Sequence, residues 1–420
     1  MKLALLLLVA CGAASSIMHA EDSHPAAAAI NALGVDLYRA KAQGEGNLLL
    51  SPYSIQNALA MTYAGSDGDT RAEMQRVLHY PANEEALDGS FDVLRRELAD
   101  AAAQTRSAVK ASEKFGGPST PIEFDLANRL FGQRGYDFRP KFLGLVKDRY
   151  DAPLEELDYK SDPEKARETI NHWVADQTKD HIRDLIPSGG ITRDSRLTLV
   201  NALYLRAPWE EEFSEAATKP DQFLVHGREG VPVPMMLRKS SCGYARRDGY
   251  QVVTRPYYGG QLQFVIILPD NPGGLAAMEK QLTPELLASL AQVPKQDIIL
   301  HLPKFRLQPP TLALGEKLKA LGMKTAFDDP LRSANFDRMA PRKPNDYLFI
   351  SAVFHKTFLA LDEKGTEAAA ATAVVMKPAA AMQANRPVPP EVKVDHPFIF
   401  AIQHAPSGAC LFIGRVTDPR

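Results

Sequence analysis

The chain has 420 residues, 45% of them hydrophobic and 24% charged, the balance of an ordinary globular protein with ample material for a core. Its 49 basic and 51 acidic residues leave a formal net charge of -2, which supplies no field for holding nucleic acid or an anionic membrane surface. Three cysteines exclude a disulfide framework in a protein of this size.

At the N-terminus, Lys2 precedes the apolar run from Leu3 to Ala10 and then small residues, which reads as an export signal over residues 1–20. The run is too short to span a bilayer, where about 20 apolar residues are needed. Two readings stay open there. "LVAC", ending at Cys11, resembles the lipobox of bacterial lipoproteins, with the cysteine lipidated. Cleavage after Ala20 instead releases a soluble secreted or periplasmic protein.

Residues 21–420 read as one domain. "SIQNALAMTYAG" puts Ile55, Leu59 and Thr62 or Tyr63 on one helical face, introduced by a serine cap and a proline in the first turn. "TRAEMQRVLHY" and "SFDVLRRELADAAAQ" continue the helical pattern. From about Asp100 to Pro121 the text turns to Ala, Ser, Thr, Gly and Pro, predicting a frayed helix end and a solvated insertion. Arg106, Lys110 and Lys114 are too thinly spread there to form a polyanion site, so they read as a solvated face. Strand-like runs then dominate, among them "RLTLVNALYL", "QLQFVIILP", "DIILHLPKFRL", "DYLFISAVFHKTFLALD", "HPFIFAIQH" and "GACLFIGRV". Helices early and strands late predict an α+β fold rather than alternating βαβ units. Cys242 and Cys410 read as structural thiols.

Local catalytic signatures are missing. Ser66 in "YAGSDGDT" lacks the glycine spacing of a nucleophile elbow, and there is no H-E-x-x-H, C-x-x-C or Walker loop. A serine hydrolase therefore has no local support, and neither a cofactor nor a metal site is expected.

The segment "EKGTEAAAATAVVMKPAAAMQANRPVPPEV", Glu363 to Val392, pairs a proline-free alanine tract with a proline-rich tail. Every backbone N–H from Gly365 to Lys377 is available for a sheet ladder, and at about 3.3 Å per residue this stretch reaches roughly 43 Å. In strand geometry Thr366, Ala368, Ala370, Thr372 and Val374 share one face, and Glu367, Ala369, Ala371, Ala373 and Val375 the other. The first face carries no charge. An isolated alanine run is otherwise a helix former.

Several blocks in register carry a family resemblance: "NLLLSPYSIQNALAMTYAGSDGDTRAEM", "VNALYLRAPWEEEF", "VPMM", "LHLPKF", "LGMKTAFDD", "SAVFHKTFLALDEKGTEAAAAT" and "HPFIFAIQH" with "LFIGRVTDP". From about Pro25 to the C-terminus the chain resembles the serpins. The resemblance implies helices packed around three β-sheets and an exposed reactive centre loop at about residues 363–390. It implies an irreversible inhibitor of serine proteases, with cysteine proteases left open as further targets, that acts as a suicide substrate: the cleaved loop inserts into the main sheet and traps the acyl-enzyme. The alternative is a non-inhibitory carrier or chaperone on the same fold; the small residues of the hinge, Gly365, Thr366, Glu367, Ala368, Ala369, Ala370, Ala371 and Thr372, speak against it. By family position the attacked bond is Ala379–Ala380, which suits elastase-like or subtilisin-like proteases. The stretch from Ala380 to Pro397 is longer than usual for the family, so Ala381 and Met382 stay open as targets. Ser54, Asn201 and His355 match the family's shutter beneath the parting strands. Trp209, Lys304 and Glu363 match its breach, where Lys304 and Glu363 are expected to pair as an exposed, energetically minor ion pair. "LRAPW" departs from the family's usual lysine-glycine before the tryptophan. A monomer is implied.

Overall fold

The computed structural model describes residues 24–112, 120–366 and 388–420. The expected export signal with Cys11, the hinge residues from Glu367 to Thr372 and the bond between Ala379 and Ala380 lie outside these described residues.

In chain order the described residues form α1 (Pro25–Lys41), β1 (Leu48–Leu50), α2 (Pro52–Gly65), α3 (Gly68–Val77), α4 (Glu84–Ser112), β2 (Glu123–Gln133), α5 (Pro140–Tyr150), β3 (Glu155–Leu157), α6 (Pro163–Gln177) and β4 (Leu197–Pro208). Strands follow as β5 (Lys219–Val225), β6 (Glu229–Arg247), β7 (Tyr250–Pro256) and β8 (Leu262–Pro269), then α7 (Leu275–Gln281) and α8 (Pro284–Ser289). The remainder is β9 (Lys295–Pro303), β10 (Phe305–Leu307), β11 (Leu312–Ala313), α9 (Gly315–Ala320), β12 (Ile350–Thr357), β13 (Leu359–Leu361), β14 (Gly365–Thr366), β15 (Glu391–Lys393), β16 (Phe398–His404) and β17 (Ala409–Val416). Helices early and strands late is the expected α+β arrangement.

Helix starts follow from capping chemistry. Ser51, Asp162 and Thr283 each accept a backbone N–H three residues on, and each is followed by a proline in the first turn, where its missing N–H costs nothing. In α2 the expected apolar stripe widens to the whole cylinder: every residue but Ala64 is buried, because the helix lies between β17 and the pair β2 and β4. The stretch read as a frayed end is instead the last three turns of α4. Alanine needs no turn signal to continue a helix; Leu94, Leu98, Ala101, Ala102 and Thr105 carry a buried stripe as far as Thr105, and residues 106–111 are exposed or half-buried.

Where three sheets were expected, the described strands form two. One runs β1-β17-β16-β8-β7-β6-β9-β15, with β5 on β6. Two sheets merge in it because β6 spans 19 residues: its first half pairs with β5 and its last residues with β7, while β9 lies along the middle of both. The other runs β10-β13-β14-β4-β12-β11, with β2 on β4 and β3 on β2. At its centre β4 and β12 are parallel, with Leu197 to Leu203 beside Ile350 to Thr357. One face of this sheet packs on the main core with Leu199, Leu203 and Leu205; the other packs under α6 with Val200, Ala202 and Tyr204.

Candidate functional site

The centre of the second sheet carries polar groups where its inward rows are otherwise aliphatic. In β4 the inward row reads Leu197, Leu199, Asn201, Leu203 and Leu205, and Asn201 is fully buried. Its row partners are Asn128 on β2 and His355 on β12. The Ser51 N–H donates to His355 Nε2 at 3.1 Å, so the imidazole proton sits on Nδ1 and is donated to Asn201 Oδ1 at 2.5 Å. Asn201 Nδ2 donates to Asn128 Oδ1 at 2.8 Å, and Asn128 Nδ2 to the Ser54 carbonyl at 3.1 Å. Ser54 Oγ reaches Asn128 Oδ1 at 3.4 Å. Burial pushes the His355 pKa down to about 3, so the ring is neutral at physiological pH. The chain of bonds ties β2, β4 and β12 to the N-terminus of α2. Separating β4 from β12 breaks its His355–Asn201 link.

The three predicted shutter residues therefore meet, but through Asn128, which sequence reasoning missed. Its signal was present: Asn128 occupies the inward face of β2, two residues from Leu126 and from Leu130.

Above this cluster the chain turns after β13. Asp362 Oδ1 accepts from the N–H groups of Lys364 at 2.8 Å and Gly365 at 3.2 Å, closing a tight side-chain turn. Gly365 has φ +151°, and a Cβ on it would collide with the Ala207 carbonyl, so the turn demands glycine. β14 then pairs antiparallel with the end of β4, Gly365 opposite Pro208 and Thr366 opposite Ala207. On its other flank Thr366 lies opposite Leu361 of β13.

Lys304 and Glu363 are paired at 2.7 Å. The pair is not an exposed one: the Glu363 side chain is only 8% exposed, against 37% for Lys304. Burial opposes ionisation of Glu363, but hydrogen bonds from Lys304 and from Thr218 Oγ1, at 2.8 Å, outweigh it and hold its pKa below the usual value. Trp209 binds the backbone of the same turn. Its backbone N–H donates to the Lys364 carbonyl at 2.8 Å and its indole Nε1–H to the Asp362 carbonyl at 3.0 Å. The Phe213 N–H holds the Glu363 carbonyl at 2.8 Å. Tyr257 stacks flat on the Trp209 indole, centroids 4.7 Å apart, and its hydroxyl meets Thr366 Oγ1 at 2.5 Å. Thr218 and Tyr257, distant in sequence and of common type, gave no signal of their own.

Among the described residues no group of three or more His, Cys, Asp or Glu is placed to hold a metal, and no helix is long and apolar enough to cross a membrane. The geometry defines a protein whose central strands β4 and β12 part only by undoing one buried network, with an antiparallel strand already begun at their open end.

A family described as Serpin (serine protease inhibitor) matches residues 28–419, and the chain belongs to it. It is 37% identical over 383 residues to a leukocyte elastase inhibitor of Bos taurus, spanning 89% of this chain and 93% of the relative. An uncharacterized serpin-like protein of Thermococcus kodakarensis is 35% identical, covering 94% of this chain and 86% of that one. Among solved structures, uncleaved ovalbumin matches with a TM-score of 0.77 at 26% identity, covering 94% of this chain and all of its own. The thermophilic serpin Tengpin in its native state matches with a TM-score of 0.77 at 27% identity, over 93% of this chain and 94% of its own.

Proposed function

We propose that this chain is an irreversible suicide-substrate inhibitor of serine proteases, and not an enzyme. The observation that carries the reading is the pairing of Thr366 with Ala207 at the open end of the β4–β12 seam. Six residues on from Thr366 is Thr372, and six back from Ala207 is Asn201. Counting six back from Leu361 on the other flank reaches His355. A strand continuing this register brings the Thr372 hydroxyl between the two groups whose mutual hydrogen bond it must replace. The same register sets Ala368 opposite Leu205, Ala370 opposite Leu203 and Val374 opposite Leu199, all on the core-facing side, where small apolar residues fit. Glu367 falls opposite Arg206, on the outer face.

The tract from Glu367 to Met376 adds ten strand residues, and at about 1 kcal/mol net per hydrogen bond the gain is on the order of 10 kcal/mol. Such a reserve makes the uncleaved form kinetically rather than thermodynamically stable. In this reading Ser54, Asn201 and His355 act as the shutter, and Trp209, Lys304 and Glu363 as the breach that holds the root of the loop.

The target bond is Ala379–Ala380, bait for elastase-like or subtilisin-like proteases; relatives named leukocyte elastase inhibitor support the first. The protein is a monomer with one domain over residues 21–420, exported to the secreted or periplasmic space, with Cys11 as a lipid anchor if the lipobox is used. Incubation with elastase and with subtilisin tests the reading on one denaturing gel, where an SDS-resistant complex is the expected product. Cleavage without a complex would mark a non-inhibitory carrier, and turnover of a small ester a hydrolase. The released C-terminal peptide begins at Ala380; a start after Ala381 or Met382 moves the bond. Mass spectrometry of the mature N-terminus separates a chain starting near Glu21 from one starting at lipidated Cys11.

A further inference from the structure

Arg255, on β7, is 2% exposed. Its Nη1 donates to Ser240 Oγ at 3.1 Å and lies 4.0 Å from Cys242 Sγ, its Nη2 donates to the Glu211 carbonyl, and its Nε is buried with no partner. The guanidinium stacks over Phe213 at 4.2 Å and Trp209 at 5.1 Å. Among the described residues no carboxylate lies within ion-pair distance of it. The nearby Glu211 carboxylate is engaged by Arg238 at 2.8 Å. A guanidinium does not give up its proton in proteins, so a buried one without a counter-anion is an electrostatic debt. Burial pulls the Arg255 pKa down to about 10; the Glu211 carboxylate, beyond ion-pair distance, pushes the other way without offsetting it.

Arg255 and Cys242 line a pocket of about 200 Å³. Its rim carries the Ser241 hydroxyl, the Lys295 ammonium, the exposed Glu210 and the half-buried Glu211, whose carboxylate is taken up by Arg238. Buried guanidinium below, hydroxyls at the side and an ammonium at the mouth are the donor set of an oxyanion site. We infer that this pocket binds one small tetrahedral oxyanion, a sulfate or phosphate group, between Arg255, Ser240, Ser241 and Lys295. The site lies behind the loop root: Arg255 packs on the two aromatic residues whose backbone N–H groups hold the carbonyls of Glu363 and Lys364. The inference does not rest on the inhibitory reading, because its test needs no protease.

Isothermal titration of the full chain with inorganic sulfate and with inorganic phosphate, against chloride at matched ionic strength, tests it. The expected result is one saturable site, seen also as a change in Trp209 fluorescence, with Trp173→Phe removing the second tryptophan. Arg255→Met abolishes the binding, and Lys295→Ala and Ser241→Ala each weaken it roughly ten- to hundredfold, the loss of a charge-assisted hydrogen bond. Lys295 and Ser241 are exposed, so those two variants decide the matter where Arg255→Met fails to fold. A sulfated disaccharide tighter than free sulfate identifies the ligand as a glycan end group; equal affinity identifies the free ion. The absence of saturable binding, or binding undiminished in Lys295→Ala and Ser241→Ala, overturns the site.

Discussion

Protonation of His355 is the most quantitative consequence of the buried network that joins β2, β4 and β12. In the folded state both ring nitrogens are committed, Nε2 as acceptor from Ser51 and Nδ1 as donor to Asn201, and burial holds the pKa near 3. In the unfolded chain it returns to about 6.5. The unfolded state therefore binds one more proton between those values, so stability falls as pH drops through this window, by about 1.4 kcal/mol per pH unit. From pH 6.5 to 4.5 the loss from this residue alone is about 2 kcal/mol. His355→Asn keeps a side chain able to bond Asn201 but cannot titrate. Chemical unfolding of the uncleaved protein, followed by tryptophan fluorescence between pH 4.5 and 7.5, should show a shallower pH slope for the variant by that amount. His404, buried and shifted down to about 4, adds dependence in the same range, but it is common to both proteins. Coincident slopes would refute the neutral, doubly bonded imidazole.

Thr372→Arg sets a long cation opposite Asn201 and His355 in the inserted register; the protease then cleaves the loop and escapes, and complex yield falls at least about tenfold, as read from the stoichiometry of inhibition. Glu367→Ala, on the outer face of that register, should leave the yield within about twofold. Asn128→Ala strands Asn201 Nδ2 in the core and should cost about 1 to 3 kcal/mol in unfolding experiments. Glu363→Gln loses the charge on a half-buried pair and should cost about 1 kcal/mol, visible as a lower thermal midpoint of the uncleaved protein.

How far the sequence reached depended on whether a residue's signal was local. Ser54, Asn201 and His355 stand in long family-like blocks, and the structure joins them in one buried network. Asn128, in β2, lies outside those blocks, and only its place between Leu126 and Leu130 on the inward face betrayed it. The Lys304–Glu363 pair was legible, but its depth was not, because Thr218 and the covering backbone come from another part of the chain. The helical residues from Thr105 to Ser112 were read as a frayed end because that text lacks the leucine rhythm that marks a helix. The joining of two expected sheets depends on the length of β6, which runs on through Pro232 and Pro234, opposite Gln222 and Pro220 of β5.

The parallel seam also bears on how the chain reaches this state. β4 and β12 are separated by about 150 residues, whereas the alanine tract follows β12 by roughly ten, so loop-closure entropy favours the tract as the first neighbour for β12. Folding is thus a race that the closer competitor must lose. Alanine is a weak strand former, which slows the tract, and the Asp362 turn fixes its first residues at the far end of β4. Anything that hastens that competitor during synthesis yields a more stable molecule with no loop left to offer.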